Sequence, residues 1–183
     1  MIYVYIIIAL VLVLVIYFVS TYNKLVVLRN KVKDGWAQID VLLKRRFDLI
    51  PNLVETVKGY SKHESETFEK VINARNRYNS ATDINDKIKS NNEISECLTH
   101  LFALQESYPE LKANTNFLDL QSNLKETEDK IQYSRQFYND SVLNYNNKIE
   151  MFPSNIVASI FGFKTMAFFE VDEESRKNPN VKF

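Results

Sequence analysis

The hydrophobic pattern along this chain falls into two regimes. Residues 1–19 are apolar without interruption, and the first charged side chain is Lys24. Beyond it, apolar positions return every three or four residues. The series runs Leu25, Leu28, Val32, Trp36, Ile39, Leu43, Phe47 and Ile50, and resumes with Leu53, Val57, Tyr60, Phe68, Val71 and Tyr78. The first regime reads as a membrane-spanning helix and the second as the buried stripe of amphipathic helices.

The uncharged run Ile2–Tyr22 would rise about 31 Å as a helix, enough to cross a hydrocarbon core. Tyr3 and Tyr5 lie near one end, and Tyr17, Phe18 and Tyr22 near the other, which suits the two interfacial aromatic belts. A cleaved signal peptide would need a basic leading region and small residues before the cut, and Tyr17, Phe18 and Val19 occupy that zone. The run is therefore expected to be a permanent anchor in contact with membrane lipid. Lys24, Arg29, Lys31 and Lys33 follow it, offset nearby only by Asp34. Positive flanks stay cytoplasmic, so the body is expected in the cytoplasm and the N-terminus outside.

Within the first amphipathic stripe the only expected break is Pro51, which lacks a donor and disfavours helix at Ile50. Asp48 can cap a fresh start there. A kink and a tight turn both fit, with the kink favoured. A loop is expected near Ala81–Thr82, with Asp83 as the cap of the next helix. That helix carries Ile84, Ile88, Ile94, Leu98, Leu101, Leu104 and Tyr108 and stops before Pro109. Pro109–Asn114 is a connector, and Asn114, Thr115 or Asn116 can cap a third helix. The third stripe is Phe117, Leu120, Leu124, Ile131, Tyr138, Val142, Tyr145, Ile149 and Phe152, ended by Pro153. Long stripes joined by short loops predict an all-α, antiparallel up-and-down bundle of three to four long helices behind the anchor. Ser154 can cap a short helix over 155–161 that Gly162 ends, after which Lys164–Val171 can run extended. The domain plan is thus an anchor over 1–23, a bundle over 24–171 and a charged, disordered tail over 172–183.

Composition removes several classes of function. The 23 Lys and Arg balance the 23 Asp and Glu, so no whole-chain field attracts nucleic acid. Three glycines stand apart as Gly35, Gly59 and Gly162, so no phosphate loop or dinucleotide fingerprint exists. Cys97 is the single cysteine, which excludes an intrachain disulfide, and a buried inert thiol is expected there. The two histidines, His63 and His100, complete neither the Glu-x-x-His pairs of a di-iron bundle nor a zincin motif. No metal, cofactor or catalytic residue is expected.

Polar groups on the apolar stripes carry more information. Lys44-Arg45-Arg46 is the densest basic cluster, read as a solvated face laced with Asp40–Lys44 and Arg45–Asp48 pairs rather than a lipid or nucleic-acid patch. Arg46 adjoins Phe47, while Glu128 and Arg135 fill gaps in the third stripe seven residues apart. All three are candidate structural seam residues, because a seam charge is costly unless paired but can fix register. Use of Glu128 and Arg135 as acid and base is the lesser alternative. Tyr138-Asn139 and Tyr145-Asn146 repeat one heptad apart and read as bundle-edge packing, with ring inside and hydroxyl at the edge. Ile156–Phe169 has Lys164 as its only charge. Ile156, Ile160, Phe161, Phe163, Phe168 and Phe169 form a candidate partner interface within it. Folding back on the bundle, a partner or self-association surface, and lying on the membrane compete for that segment.

These residues resemble the LemA family of membrane proteins. The resemblance is carried by YNKLVVLRNKVKDGWAQIDVLLKRRFDLIPNLVETVKGYSKHE (22–64), LFALQESYPELKAN (101–114) and FLDLQSNLKETEDKIQYSRQFYNDSVLNYNNKIEMFPSNIVASIFGF (117–163). Within it Ile39-Asp40, Lys44-Arg45-Arg46, Asp48 to Leu53 and Tyr138-Asn139 stand in family order. Members more often have Ala or Ser around Gly35–Ala37 and Gln in place of Leu42. The resemblance implies an N-terminal anchor, a short external N-terminus and an up-and-down helical body. It implies no reaction, and a magnetosome-associated relative implies a part in membrane organisation. The expected function is a non-enzymatic, membrane-anchored scaffold with a protein partner or self-association and no nucleic acid. The alternative is an accessory factor of a membrane protease or signalling protein.

Overall fold

The computed structural model describes residues 1–60 and 65–169; His63 and the charged tail over 172–183 lie outside them. The chain is an all-α helical bundle led by a long apolar helix. Its elements are α1 (Ile2–Lys58), α2 (Ser65–Ser80), α3 (Ile84–Ser107), α4 (Pro109–Lys112), α5 (Thr115–Glu150) and α6 (Ser154–Ile160). They form two compact units. The first contains Met1–Gln38 with Ser134–Phe169, and the second contains Ile39–Tyr133. α1 and α5 each contribute to both.

Helix α1 runs 57 residues without a break, so the apolar segment and the first bundle helix are one element. Its residues 2–16 are exposed, and burial begins at Tyr17, Phe18 and Thr21. Helix geometry continues through Pro51, so neither a tight turn nor a fresh start at Asp48 forms. Pro51 has no N–H to give the carbonyl of Phe47, its partner four residues back. Arg75 on α2 supplies the missing donor: its Nε donates to the Phe47 carbonyl at 3.3 Å. The break falls instead at Gly59, where Tyr60 N–H donates to the Val57 carbonyl and the helix has ended at Lys58. Glycine costs a helix about 1 kcal/mol relative to alanine and brings no side chain to the core. The single long stripe expected through Tyr78 is therefore two helices, α1 and α2.

The other boundaries follow local chemistry. Asp83 caps α3, its carboxylate accepting from Asn85 N–H at 2.7 Å. Pro109 opens α4, a single turn inside the expected connector. Asn114 caps α5 by accepting from Phe117 N–H at 3.0 Å, and its amide donates to the Tyr60 hydroxyl. Ser154 does not cap α6: it is the first helical residue, and its hydroxyl donates back to the Met151 carbonyl. α5 closes at Glu150, which leaves Phe152 outside the stripe and exposed. Gly162 adopts φ +68°, the left-handed position that ends α6.

Each unit has its own apolar core. Leu25, Val32, Val142, Tyr145, Val157 and Phe169 fill the first. Ile39, Leu43, Phe47, Ile50, Leu53, Val71, Ile94, Leu101, Phe117 and Ile131 are among those filling the second. All but Val157 and Phe169 are stripe positions read from the sequence, and burying each is worth about 1.5–3 kcal/mol relative to exposure.

Candidate functional site

Three polar arrangements stand out, two in the second unit and one in the first. In the second, Arg46 projects from α1 into the core and is 3% exposed. Its Nη1 lies 2.8 Å from Glu128 Oε2 on α5 and donates to Asn91 Oδ1 on α3 at 2.7 Å. Its Nη2 donates to Ser95 Oγ at 3.1 Å, and Ser95 Oγ donates to the Asn91 carbonyl. One guanidinium thus ties three helices. Burying it without partners would cost several kcal/mol, so the partners are obligatory and they specify register. Arg46 is therefore not part of a solvated face, as the basic cluster suggested. Glu128, the seam residue whose partner the sequence could not name, is that partner.

A groove of about 630 Å³ opens beside this cluster, lined among others by Arg46, Glu128, Phe102 and Leu118. Of its polar members, Arg46, Ser95 and Glu128 belong to the cluster just described. Among the described residues no three His, Cys, Asp or Glu side chains converge as a metal site would require. Cys97 is half-buried, and burial, reinforced by the charges of Glu96 and Glu93 against Lys70 and Arg77, pushes its thiol pKa above the ordinary value.

A second charge constellation in the same unit joins α1, α2 and α3. Asp40 accepts from Lys87 Nζ at 2.6 Å and from the Tyr78 hydroxyl at 3.0 Å, while the Tyr78 ring stacks on Phe47 with centroids 3.9 Å apart. Burial pushes the Asp40 carboxyl up. The hydrogen bonds from Lys87 and Tyr78, with the charges of Lys87 and Lys44, outweigh it and hold the pKa below the ordinary value. Asp40 therefore takes its close partner from α3, not from Lys44 one turn along.

In the first unit, residues 163–169 run back along α5 without regular structure. Asn139 and Asn146 hold them. The Asn139 amide donates to the Phe169 carbonyl at 3.1 Å while its oxygen accepts from Phe169 N–H at 2.8 Å. Asn146 does the same for Met166, at 2.9 Å in both directions. The spacings match: seven helical residues rise about 10.5 Å, and three extended residues span about 10 Å. Between them the Tyr138 hydroxyl donates to the Ala167 carbonyl at 3.0 Å. Phe169, 1% exposed, packs against Trp36 at 6.2 Å, and Arg135 Cζ lies 4.2 Å from the centre of its ring. Arg135 thus lies over the Phe169 ring in the first unit, and Glu128 pairs with Arg46 in the second.

The candidate interface divides accordingly. Phe169 is buried, and Phe163 is half-buried beside Tyr22 and Arg29. Ile156, Ile160, Phe161 and Phe168 remain exposed. Periodicity and composition do not assign these roles to Asn91, Ser95, Arg75, Asn139 or Asn146. Asn91 does hold a seam position between Ile88 and Ile94, and the two asparagines hold heptad-related ones; those were the available signals.

A family model described as "LemA family" matches residues 35–183. Among curated proteins, "Protein LemA" of Metamycoplasma hominis is 26% identical over 160 residues, covering 87% of this chain and 73% of that protein. "Magnetosome protein MamQ 2" of Paramagnetospirillum magneticum is 24% identical over 186 residues, covering 85% and 68%. "Magnetosome protein MamQ" of Magnetospirillum gryphiswaldense is 22% identical, covering 81% and 64%. The matched stretch takes in Arg46, Asn91, Glu128, Asn139 and Asn146 together with every helix after α1. With an apolar helix long enough to span a bilayer at its head, the chain belongs to the LemA family of membrane proteins.

Proposed function

We propose that this chain is a non-enzymatic scaffold, tethered by α1 with its N-terminus outside and its helical body in the cytoplasm. The observation that carries the reading is the continuity of α1 from a fully exposed apolar segment into the buried stripe of the body. Exposed residues 2–16 have no partner of their own polarity in water, and a bilayer supplies one. Lys24, Arg29, Lys31 and Lys33 directly beyond the span support the orientation. The polar clusters of the body are engaged in holding helices together, which supports a structural role over a chemical one. The MamQ relatives bear the name of a magnetosome protein, which favours a part in membrane organisation.

The test is a crosslinking inventory in living cells, coupled to alkaline carbonate extraction and protease shaving of intact cells. Retention in the carbonate pellet, protection of the body and capture of structural neighbours or of the chain itself are expected. Release by carbonate would remove the anchor, and cleavage of the body from outside would reverse the orientation. A stoichiometric enzyme partner would make the chain an accessory factor of that enzyme.

A further inference from the structure

We propose that α6 and its flanks form a second membrane contact, an apolar foot that enters the same bilayer leaflet as the inner end of α1. The inference rests on α1 being membrane-embedded and adds to it a lipid-binding surface on the body.

The sequence from Met151 to Phe163 contains 13 residues and no charge. α6 turns Ser154, Val157 and Ala158 inward, where they are buried. Its other face and its flanks leave Phe152, Ile156, Ile160 and Phe161 exposed by 79%, 46%, 62% and 53%. An uncovered apolar cluster of this kind is costly in water.

Its place says what covers it. Tyr22 stands two residues before the first charge, Lys24, so a spanning α1 sets it at the interface. The Phe161 ring lies 4.7 Å from the Tyr22 ring and the Phe163 ring 5.7 Å from it. Phe161 and the end of α6 are thereby held at the level where the bilayer begins. Burial on α1 starts already at Tyr17, about 7 Å deeper than Tyr22 along the helix. That overlap matches the 5–10 Å to which interfacial apolar faces sink. In sequence Lys24 follows Tyr22 by two residues, Lys148 and Glu150 precede Phe152 and Lys164 follows Phe163, so the patch is flanked along the chain by charges, three of them suited to phosphate headgroups. A free amphipathic helix needs a basic face to reach a membrane. α6 has none and needs none, because the covalent span delivers it there.

The experiment uses the full chain with Cys97→Ser, reconstituted in phosphatidylcholine vesicles doped with acyl-chain nitroxide lipid. The single variants Ile156→Cys, Ile160→Cys, Leu10→Cys and Lys33→Cys each carry an environment-sensitive fluorophore. Lys33 is exposed on the same helix, about 16 Å beyond Tyr22. Loss of fluorescence to the lipid nitroxide is expected at 156, 160 and 10, with 33 quenched only by aqueous iodide. Quenching at 10 without quenching at 156 and 160 would overturn the foot and leave the anchor standing. Shielding of 156 and 160 from both quenchers would mean that protein covers them, and would equally overturn it. Absence of lipid quenching at 10 would overturn the anchor and the foot together.

Discussion

Arg75 donates to the carbonyl of Phe47, the one group on α1 that Pro51 deprives of its helical donor. A proline inside a long helix is tolerated here because a side chain from α2 completes the hydrogen bonding. Arg75→Leu should cost about 1–2 kcal/mol in urea unfolding of the detergent-solubilised chain. The same change in a Pro51→Ala background should cost much less, because the alanine N–H restores the intrahelical bond. Equal losses in both backgrounds would show that Arg75 acts elsewhere.

The Arg46–Glu128 pair should show the asymmetry of buried charges. Glu128→Leu is expected to destabilise by about 2–4 kcal/mol, below the full effect of a sealed pair because Glu128 is 28% exposed. Arg46→Met is expected to be at least as severe, since it also strands Asn91 Oδ1. The double variant should recover part of the loss. Strict additivity of the two in a double-mutant cycle would refute the pairing.

Asn139 and Asn146 act through both ends of their carboxamides. Asn139→Asp keeps the shape but cannot donate to the Phe169 carbonyl, and Asn146→Asp fails likewise at Met166. Amide exchange at Met166 and Phe169 should rise by about tenfold or more, the equivalent of 1.4 kcal/mol, while exchange in α3 stays unchanged. Unaltered protection at both residues would mean that the aromatic packing alone holds the segment.

Two glycines should respond in opposite ways to alanine. At Gly35 a Cβ would stand 3.4 Å from Tyr138 Cα and 3.5 Å from Phe137 Cδ1, ordinary contact distances. Gly35→Ala should therefore stabilise by about 0.5–1 kcal/mol through helix propensity. Gly162 sits at φ +68°, so Gly162→Ala should destabilise by about 1–2 kcal/mol although nothing lies within 4 Å of the new methyl. Thermal melts of the two variants moving in the same direction would contradict this.

Asp40 predicts part of the acid response. Its pKa is lowered in the folded chain, so as pH falls the unfolded chain takes up its proton first. Stability contributed by Asp40 is thus complete above the ordinary carboxylate value of 3.8 and is lost as pH drops through the lower folded value. Asp40→Asn should flatten that limb of the stability profile. A limb of unchanged slope would place the linkage in other carboxylates.

The helical stripes and the Asp83 and Asn114 caps were legible because each depends on residues within a few positions of one another. Pro51 and Gly59 were not. Local rules place the break at the proline, and only the arrival of Arg75 from α2 reverses the ranking. The seam charges Arg46 and Glu128 could be found by their interruption of the stripe, but not matched, since 82 positions of chain separate them. Asn139 and Asn146 were visible as a heptad pair, yet their role depends on an extended segment some 20–30 residues downstream whose backbone, not side chains, they bind. Hydrophobic periodicity carries no record of a main-chain partner.

The unbroken backbone of α1 between Val19 and Leu28 also sets how freely the body can move. A flexible linker of ten residues would let whatever it carried wander over a radius of about 17 Å in every direction. Ten helical residues instead impose one displacement of about 15 Å along one line. With Tyr22 clasped by Phe161 and Phe163 at the same level, the first unit has a stiff stem where a leash would otherwise be. Any tilt or rotation of the apolar segment becomes, without slack, a tilt or rotation of the unit built on it.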